Sequence, residues 1–272
     1  MKKLFILFTL ILTITLMGCN VYSSEVDTDL PPIQSIPSLD IPENDFRGDE
    51  NNSVLDEDET EKKRKIYAVS NVSGLRVRTK PNGSSSVLGS LDKGDAITFT
   101  EKVDGYYKTT FKEQTAYVWA EYCYTLEIDI EDEKVESAID FGSTLLGYPY
   151  VWGSERYHWG NGKLNTNFKN GEFDCSALVQ YVYFKSNGVN LDLTSRAQSL
   201  NGVEVKRDNL KRGDLMFFTN ASRKNNVGIE RIGHVGIYFG NNYILHTASD
   251  HAVIEPISST RWSYYITARR VV

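Results

Sequence analysis

The segment from Asn20 to about Glu61 constrains the fold most, because it cannot contribute to a hydrophobic core. It is acidic and rich in serine, it has almost no aromatic residues, and it holds four of the seven prolines. A segment of this composition buries too little apolar surface to offset the entropy that its chain would lose on folding. We therefore predict that residues 20–64 form a disordered acidic tether and that the folded part begins after it.

Residues 1–19 have the pattern of a bacterial export signal. Lys2 and Lys3 precede an apolar run, Leu4 to Met17, which is too short to span a bilayer comfortably. The run ends in Leu-Met-Gly-Cys, which resembles a lipobox, and this resemblance implies lipidation of Cys19. An ordinary secretory peptide and an uncleaved anchor are the alternatives. All three predict an exported protein, and the lipobox predicts a cell-surface lipoprotein anchored at the outer face of the cytoplasmic membrane.

The net charge of −6 argues against a nucleic-acid partner, since it indicates no basic surface. The three cysteines are Cys19, Cys123 and Cys175, and in an exported protein the last two could pair in a disulfide. Cys123, however, lies in a strand pattern, YVWAEYCY, that favours a small buried residue. Neither CxxC nor HExxH occurs and the four histidines are scattered, so we predict no metal site and no cofactor.

Residues 65–127 have the pattern of a small β-barrel. Short alternating segments such as LRVR at 75–78 are separated by turn signals, of which Pro81-Asn82-Gly83 and Asp104-Gly105 are the clearest. Many short strands in so short a segment favour a small barrel. The order LRVRTKP, VLGSLDKGD, GYYK, AYVWAEY resembles the bacterial SH3-like domains of cell-wall enzymes. An unrelated small barrel is the alternative.

Residues 130–272 mix helical and strand patterns, which predicts an α+β domain with helices packed on an antiparallel sheet. Gly147 is placed to end the first helix, and Asn187-Gly188 closes the second. The predicted helices are 135–146, 175–187 and 195–200, and the predicted strands are 214–219, 233–239, 243–248 and 264–271.

Cys175 stands out because it begins an apolar helix, in the stretch FDCSALVQYVY. In the first turn of a helix, unpaired N–H groups and the helix dipole favour a negative charge, which can lower the pKa of a thiol to roughly 3.5–7.5. A buried core cysteine and a metal ligand are the alternatives, and the missing ligand set weakens the second. We predict a nucleophile, which needs a base within hydrogen-bond reach and a third group to orient that base.

Two histidines on consecutive predicted strands supply those partners. In GHVGIYFGNNYILH, His234 and Gly236 share one face of the first strand. A two-residue turn at Asn241-Asn242 would place His246 on the other face. A three-residue loop that also includes Gly240 places it opposite Gly236, diagonal to His234. We predict the three-residue loop.

The other two histidines have weaker claims to a role in the site. His251 is the rival third member, but it lies in a polar turn, SDHA, where exposure is expected. His158 lies in a loop rich in Trp, Asn and Gly, where it could contact a substrate.

Four sequence blocks within residues 135–272 resemble the NlpC-type cell-wall cysteine peptidases, which have a papain-like fold. The blocks are GYPYVWGS, FDCSALVQYVY, LKRGDLMFF and GHVGIYFGNNYILH, and they occur in the family's order. Through the D-C-S and H-V-G-I-Y motifs, the resemblance implies that Cys175 is the nucleophile and His234 the base. It implies that His246, which ends the next strand, orients the base.

The resemblance also implies substrate-binding residues. Asp174 and Ser176 match positions that hold the amino end of the peptidoglycan stem peptide in relatives with SH3-like domains. Tyr150 and Trp152 match an aromatic block beside the cleft, and a tyrosine of the SH3-like domain is expected to help close the site. The chain departs from the family pattern in Ala177, Ser154 and the region of Arg196, and in a long insertion at 155–172. These departures affect the expected specificity and leave the triad intact.

The implied activity is cleavage of peptidoglycan stem peptides by a Cys-His-His triad, at the bond from D-glutamate to a diamino acid. One alternative is an SH3-like wall-binding lipoprotein with an idle catalytic domain, and another is an amidase acting between the sugar and L-alanine. The implied partners are the stem peptide and, through the lipid anchor, the membrane. A monomer is expected. The cut bond, the diamino acid and the role of the insertion stay open at this level.

Overall fold

The computed structural model describes residues 63–130, 132–247 and 250–272. The predicted signal peptide, the lipidation site Cys19 and the predicted tether up to residue 62 lie outside the described residues. The first strand, β1, begins at Arg64, which is the last residue of the predicted tether.

Eight strands in two antiparallel sheets form the first domain. Apolar residues alternate with polar ones as expected, so that Leu75 and Val77 are buried and Arg76 between them is exposed. The sheets have the strand orders β4-β1-β8 and β3-β2-β7-β6-β5. The strands are β1 (Arg64–Ser70), β2 (Leu75–Arg78), β3 (Val87–Leu91), β4 (Ala96–Thr98), β5 (Glu101–Val103), β6 (Tyr106–Phe111), β7 (Gln114–Trp119) and β8 (Cys123–Asp129).

Two of these strands, β1 and β8, lie outside the four sequence blocks that carry the resemblance to SH3-like domains. Strands β1 and β8 pair with each other along their whole length, from Arg64 with Asp129 to Ser70 with Cys123. They are the two ends of the domain in the sequence, so no local pattern indicates that they meet. The predicted turn at Asp104-Gly105 is present, with both residues at positive φ (49° and 84°) between β5 and β6.

The described residues of the second domain form four α-helices and one six-stranded antiparallel sheet, which confirms the predicted α+β class. The sheet has the strand order β13-β12-β11-β10-β14-β9. No helix in the described part of the chain is long and apolar enough to cross a membrane. The elements are α1 (Glu133–Thr144), α2 (Cys175–Asn187), α3 (Ser195–Gln198), β9 (Val203–Val205), β10 (Leu215–Phe218), β11 (His234–Gly240), β12 (Tyr243–Thr247), β13 (Ala252–Pro256), α4 (Ser259–Ser263) and β14 (Tyr265–Arg270).

Helix α2 is the element that positions the candidate site. Asp174 caps its first turn by accepting a hydrogen bond from the Ala177 N–H. Gly188 ends it in the left-handed conformation with φ of 68°, and its N–H reaches the Phe184 carbonyl. Every residue from Cys175 to Tyr183 is buried, because the helix packs against α1 on one side and against β11 and β12 on the other.

A buried guanidinium joins the two domains. Arg212, just before β10, donates from Nε to the Glu136 carboxylate of α1 at 2.5 Å, and it also bonds to the Tyr67 hydroxyl of β1 and the Phe239 carbonyl of β11. Arg212 and Glu136 are each only 9% exposed at the side chain. Lys65 of β1 adds a second cation, 3.0 Å from the same carboxylate. The orientation of the first domain therefore depends on charges buried at the boundary.

Replacement of Arg212 by methionine is expected to lower the free energy of unfolding by about 3 kcal/mol, because it leaves Glu136 with a partly unmatched buried charge. Burial alone would raise the pKa of Glu136, but Arg212 and Lys65 hold it below its ordinary value of 4.5. A carboxyl with a lowered pKa stabilises the fold above that ordinary range and loses this contribution as the pH falls through the folded-state pKa. The difference between wild type and variant is therefore expected to shrink under acid conditions.

Chemical denaturation at pH 7 and at acid pH measures both effects. The matched control is Arg64→Met, which removes an exposed ion pair with Glu127 (59% and 55% exposed) and is expected to cost no more than about 1 kcal/mol. Equal losses of unfolding free energy in Arg212→Met and Arg64→Met would contradict the importance of the buried contact between Arg212 and Glu136.

Candidate active site

Cys175 is the first residue of α2, and its side chain lies against the start of β11. The residue is 8% exposed. The backbone N–H groups of Val235, the residue after His234, and of Ser176 lower the pKa of its thiol. Helix α2 thus brings the thiol to the strand that carries His234. The predicted helix start is confirmed, because Asp174 caps the helix immediately before Cys175.

The environment of the thiol differs from the one that its position predicts. Burial, followed by the nearby charge of Asp174, raises the pKa of Cys175 to about 11. The two backbone N–H groups and Arg156 lower it, but by less than burial raises it. The expectation of a lowered pKa was therefore wrong for the free protein. Removal of water from the sulfur outweighs the favourable position at the helix terminus.

The rings of His234 and His246 are hydrogen bonded, with 2.8 Å between His234 Nε2 and His246 Nδ1. They lie on one face of the sheet because Ile237 pairs with Leu245, a register that sets His246 opposite Gly236. The space at Gly236 is filled by its neighbours, since an added Cβ would lie 2.9 Å from the His246 Cβ. The predicted relation of the two histidines is present.

The predicted loop length was wrong, although the predicted face was right. Gly240 pairs with Tyr243, so the turn consists of Asn241 and Asn242 alone, at φ of 48° and 63°. A bulge between Tyr238 and Gly240 adds one residue to β11. An extra residue in one strand changes the parity of the pairing, and this brings His246 back to the face of His234.

A fourth residue, Glu255 of β13, extends the pair into a chain. His246 Nε2 lies 3.0 Å from Glu255 Oε1, and the His246 side chain is fully buried. An ionised carboxylate only accepts, so His246 donates from Nε2 and, when neutral, accepts at Nδ1. His234 must then donate from Nε2. The lone pair of His234 is left on Nδ1, the atom that is free to take a proton.

Burial keeps both histidines of this hydrogen-bond chain neutral. Burial, followed by the His246 ring and Arg261, lowers the pKa of His234 well below 6.5. Burial also lowers the pKa of His246, although Glu255 opposes it. Arg261 donates to Glu255 Oε1 at 3.1 Å and, with His246, holds the pKa of that carboxyl below its ordinary value despite its burial. At pH 7 the chain of hydrogen bonds therefore consists of two neutral imidazoles, His234 and His246, followed by the Glu255 carboxylate and the Arg261 guanidinium.

Sequence reasoning missed Glu255 because it missed β13. The segment AVIEP follows the SDHA turn and pairs with β12, with His246 opposite Val253 and Ile244 opposite Glu255. Glu255 is thus diagonal to His246 on the same face. Prediction of a third strand after the hairpin would have placed Glu255 on the same face as His246.

Asp174 and Ser176, predicted to bind the substrate, are already engaged by a residue of the insertion. Arg156 Nη2 donates to Asp174 Oδ2 and to Ser176 Oγ, both at 2.9 Å. No pattern in the sequence pointed to Arg156, because nothing in a polar insertion indicates which of its side chains turns inward. The site therefore contains a cation that sequence reasoning did not identify.

The two predicted aromatic residues lie in different environments. Tyr150 forms an isolated bridge with Phe173, and burial raises the pKa of its hydroxyl. Trp152 is 86% exposed in the turn that follows.

The remaining histidines lie outside the chain of hydrogen bonds. His158 is fully buried and accepts a hydrogen bond from the Gly160 N–H at Nδ1, so it supports the loop rather than contacting a substrate. His251 pairs with Asp250 at 2.9 Å. Cys123 and Cys175 are both free thiols, which excludes a disulfide between them in this structure. Among the described residues, no group of three or more His, Cys, Asp or Glu side chains is arranged to hold a metal ion.

A cavity of about 350 Å³ adjoins His234. Its walls come from the end of β10, the start of β11 and the region of α4, and they include Arg261. The base of the predicted triad is therefore reachable from an open volume.

Comparison with known families identifies both domains. Residues 147–271 match the model of the NlpC/P60 family, and residues 73–123 match that of the bacterial SH3 domain. The chain is 33% identical over 146 residues to the murein DD-endopeptidase MepS/murein LD-carboxypeptidase of Escherichia coli K12, covering 52% of this chain and 69% of that protein. The chain belongs to the NlpC/P60 family, and its papain-like fold with a preceding SH3-like domain agrees with the sequence prediction.

Other relatives are much longer than the matched region. The peptidoglycan DL-endopeptidase CwlO of Bacillus licheniformis is 35% identical over 51% of this chain and 28% of its own length. A gamma-D-glutamyl-L-lysine dipeptidyl-peptidase of Bacillus cereus is 31% identical over 54% of this chain and 39% of its own length. The chain thus spans less than half the length of these two relatives. A solved NlpC/P60 family structure from Bacillus cereus covers 76% of this chain at 22% identity, with a TM-score of 0.40.

The raised pKa predicts how fast Cys175 is alkylated. Because the thiol is neutral at pH 7, its reaction with iodoacetamide is expected to be slow there and to accelerate by about tenfold per pH unit up to about pH 11. Peptide mass spectrometry separates Cys175 from Cys123. The protein unfolded in guanidinium chloride is the control, since its thiols should level off near the ordinary pKa of about 8.5. A folded-state rate that levels off below pH 8 would contradict the effect of burial.

The hydrogen-bond chain predicts the protonation of the two rings. Nitrogen NMR of the histidine rings is expected to show N–H at Nε2 and a bare Nδ1 in both His234 and His246 at pH 7. In Glu255→Gln the pKa of His246 is expected to fall further, because a negative charge that raises it is lost. The chain contains only four histidines, which makes the assignment practical. A proton on Nδ1 of His246 in the wild type would show that the chain runs in the opposite direction.

Proposed function

We propose that the protein is a cell-wall cysteine peptidase that cleaves peptidoglycan stem peptides. Cys175 is the nucleophile, His234 the general base, and His246 the residue that orients the base. The observation that carries this proposal is the hydrogen bond between His234 and His246 beside the helix terminus that holds Cys175. Family membership and the names of the relatives support the same class of substrate.

In the first step, transfer of the Cys175 thiol proton is coupled to attack of the sulfur on the substrate. Because both Cys175 and His234 are neutral in the free protein, Nδ1 of His234 takes the thiol proton as the sulfur approaches the peptide carbonyl. The sulfur bonds to the carbonyl carbon, and the oxygen takes up the negative charge. Backbone N–H groups at the start of α2, including that of Cys175, stabilise this oxyanion.

The second half of the reaction returns the site to its starting state. Protonated His234 donates its proton to the leaving amine, the peptide bond breaks, and a thioester to Cys175 remains. Water then attacks the thioester with His234 as base, which releases the carboxylate product and the thiol. The positive charge that His234 carries in between is stabilised through His246 by Glu255, which makes Glu255 a positioning residue rather than a catalytic one.

The bond that we propose is cut joins D-glutamate to the diamino acid. The names of two relatives support it, since one is a DL-endopeptidase and another a gamma-D-glutamyl-L-lysine dipeptidyl-peptidase. A third relative is named as a DD-endopeptidase and LD-carboxypeptidase, so the bond must be identified from the products. Asp174, Ser176, Tyr150 and Trp152 are proposed to line the substrate cleft.

We place the enzyme at the cell surface as a monomer, with Cys19 lipidated in the outer face of the cytoplasmic membrane and residues 20–64 as a tether. This arrangement brings residues 65–127 and 130–272 to the wall, where the substrate occurs. The SH3-like domain contributes to substrate recognition through its fixed attachment at Arg212.

Digestion of purified peptidoglycan by the full-length protein tests the proposal, with products identified by mass spectrometry. Two kinds of fragment are expected from the wild type, one that ends in D-glutamate and one that begins with the diamino acid. Both should be absent from the Cys175→Ala digest. Cys123→Ala is the matched control and should retain activity. Identical profiles from wild type and Cys175→Ala, with retained wall binding, would establish the idle binding module instead. Products released between the sugar and L-alanine would establish the amidase.

A further inference from the structure

Arg156 holds its guanidinium in a fixed place beside the nucleophile. Its Nε donates to the Leu193 carbonyl and its Nη1 to the Ser154 carbonyl, both at 2.5 Å. Its Nη2 donates to Asp174 and Ser176. The side chain is 15% exposed, so this cation is built into the wall of the site.

The carboxylate of Asp174 accepts three hydrogen bonds from groups of the protein itself. Its Oδ1 accepts from the Ala177 N–H at 2.8 Å and from the Ser176 hydroxyl at 3.0 Å. Its Oδ2 accepts from Arg156 at 2.9 Å. The negative charge is balanced by the guanidinium. An ammonium group that approached Asp174 would meet no net charge and would lie next to a like charge.

A neutral carbonyl finds a better match at the same place. Arg156 has five N–H groups, and one of those on Nη1 has no acceptor among the described residues. A carbonyl oxygen can accept from that N–H without displacing any existing bond. The site therefore favours an amide over a free amine.

The function proposed above puts Asp174 and Ser176 in the substrate cleft, and the family resemblance implies that they bind the amino end of the stem peptide. Asp174 and Ser176 flank Cys175 in the sequence, and both contact Arg156. When the sulfur attacks the side-chain carbonyl of D-glutamate, only one residue, L-alanine, lies beyond it on the acyl side. The nitrogen of that alanine is a free amine in a released peptide, and it is an amide when the peptide is still attached to the glycan.

Resting on the function proposed above, we propose that this enzyme acts on stem peptides whose amino end is acylated, and that Arg156 determines this specificity. Its substrates are then peptides still carried on glycan strands rather than released peptides with a free amine. Trp152 is exposed in the turn whose Ser154 bonds to both Asp174 and Arg156, so its ring is available to contact the attached sugar.

The proposal separates two activities that occur among the relatives. A dipeptidyl-peptidase removes two residues from a free amino end, whereas an endopeptidase cuts within a chain, and relatives of this protein carry both names. The Arg156 cation paired with Asp174 disfavours dipeptidyl-peptidase activity in this protein and permits endopeptidase activity.

The test compares two substrates that differ only at the amino end. Both are L-Ala-γ-D-Glu-diamino acid peptides, one with a free amine and one N-acetylated, and the full-length protein is assayed for kcat/KM on each. The wild type is expected to favour the acetylated peptide by at least about tenfold, since juxtaposed like charges are strongly unfavourable in an enclosed site. In Arg156→Gln the ratio is expected to shift toward the free amine by about tenfold or more, because Asp174 becomes available to bind an ammonium.

The informative quantity is the ratio of kcat/KM on the acetylated peptide to kcat/KM on the free-amine peptide. Arg156 also lowers the pKa of Cys175, so its loss is expected to slow the attack on both substrates alike. Dividing one constant by the other removes this common effect. Arg156→Lys keeps the positive charge and should retain the wild-type preference. Lys169→Gln removes an exposed cation of the same insertion and should change neither constant.

The outcomes distinguish this inference from the function on which it rests. A wild type that cleaves the free amine equally well or better overturns the specificity, while the peptidase assignment stands. An unchanged ratio in Arg156→Gln overturns the role of Arg156. Should Arg156→Gln fail to fold, the wild-type ratio and Arg156→Lys still decide. Cleavage of neither peptide, with no products from peptidoglycan, would instead overturn the proposed function.

Discussion

The carboxylate of Asp174 lies where three parts of the second domain meet. It caps α2 at the Ala177 N–H, bonds to the Ser176 hydroxyl, and pairs with Arg156 of the insertion. The helix start, the place of the thiol and the conformation of the loop therefore depend on one buried charge. Such a charge is stable only when hydrogen bonds and a counter-ion replace the water that it loses. Arg156 supplies the counter-ion.

Competing electrostatic effects determine the resting state of the thiol. The helix terminus contributes about 0.3–1 kcal/mol in favour of thiolate. The rise of the pKa from 9.0 to about 11 corresponds to about 3 kcal/mol in favour of the thiol, so burial prevails. The same burial keeps His234 and His246 neutral, and Glu255 then fixes which nitrogen of each ring carries the proton. A resting site without an ion pair requires the proton to move during attack rather than before it.

Local patterns were sufficient for the elements that carry Cys175, His234 and His246 but not for all of the site. The helix at Cys175 and the strands of His234 and His246 follow from periodicity and capping, because these signals act within a few residues. The pairing of β1 with β8 and the strand that carries Glu255 depend on residues distant in sequence. The predicted face of His246 was correct although the predicted loop length was wrong. A two-residue turn together with a bulge in β11 places His246 on the same face as a three-residue loop would.

The sequence by itself determined the presence of two folded domains, the α+β class, and the identity of the cysteine and two histidines proposed as the triad. These follow from composition, periodicity and short motifs. Only the tertiary structure decided the pKa of Cys175, the tautomers imposed by Glu255, and the pairing of Arg156 with Asp174. Each of these depends on the removal of water and on distances between segments far apart in the chain, and neither quantity is encoded in any local stretch of residues.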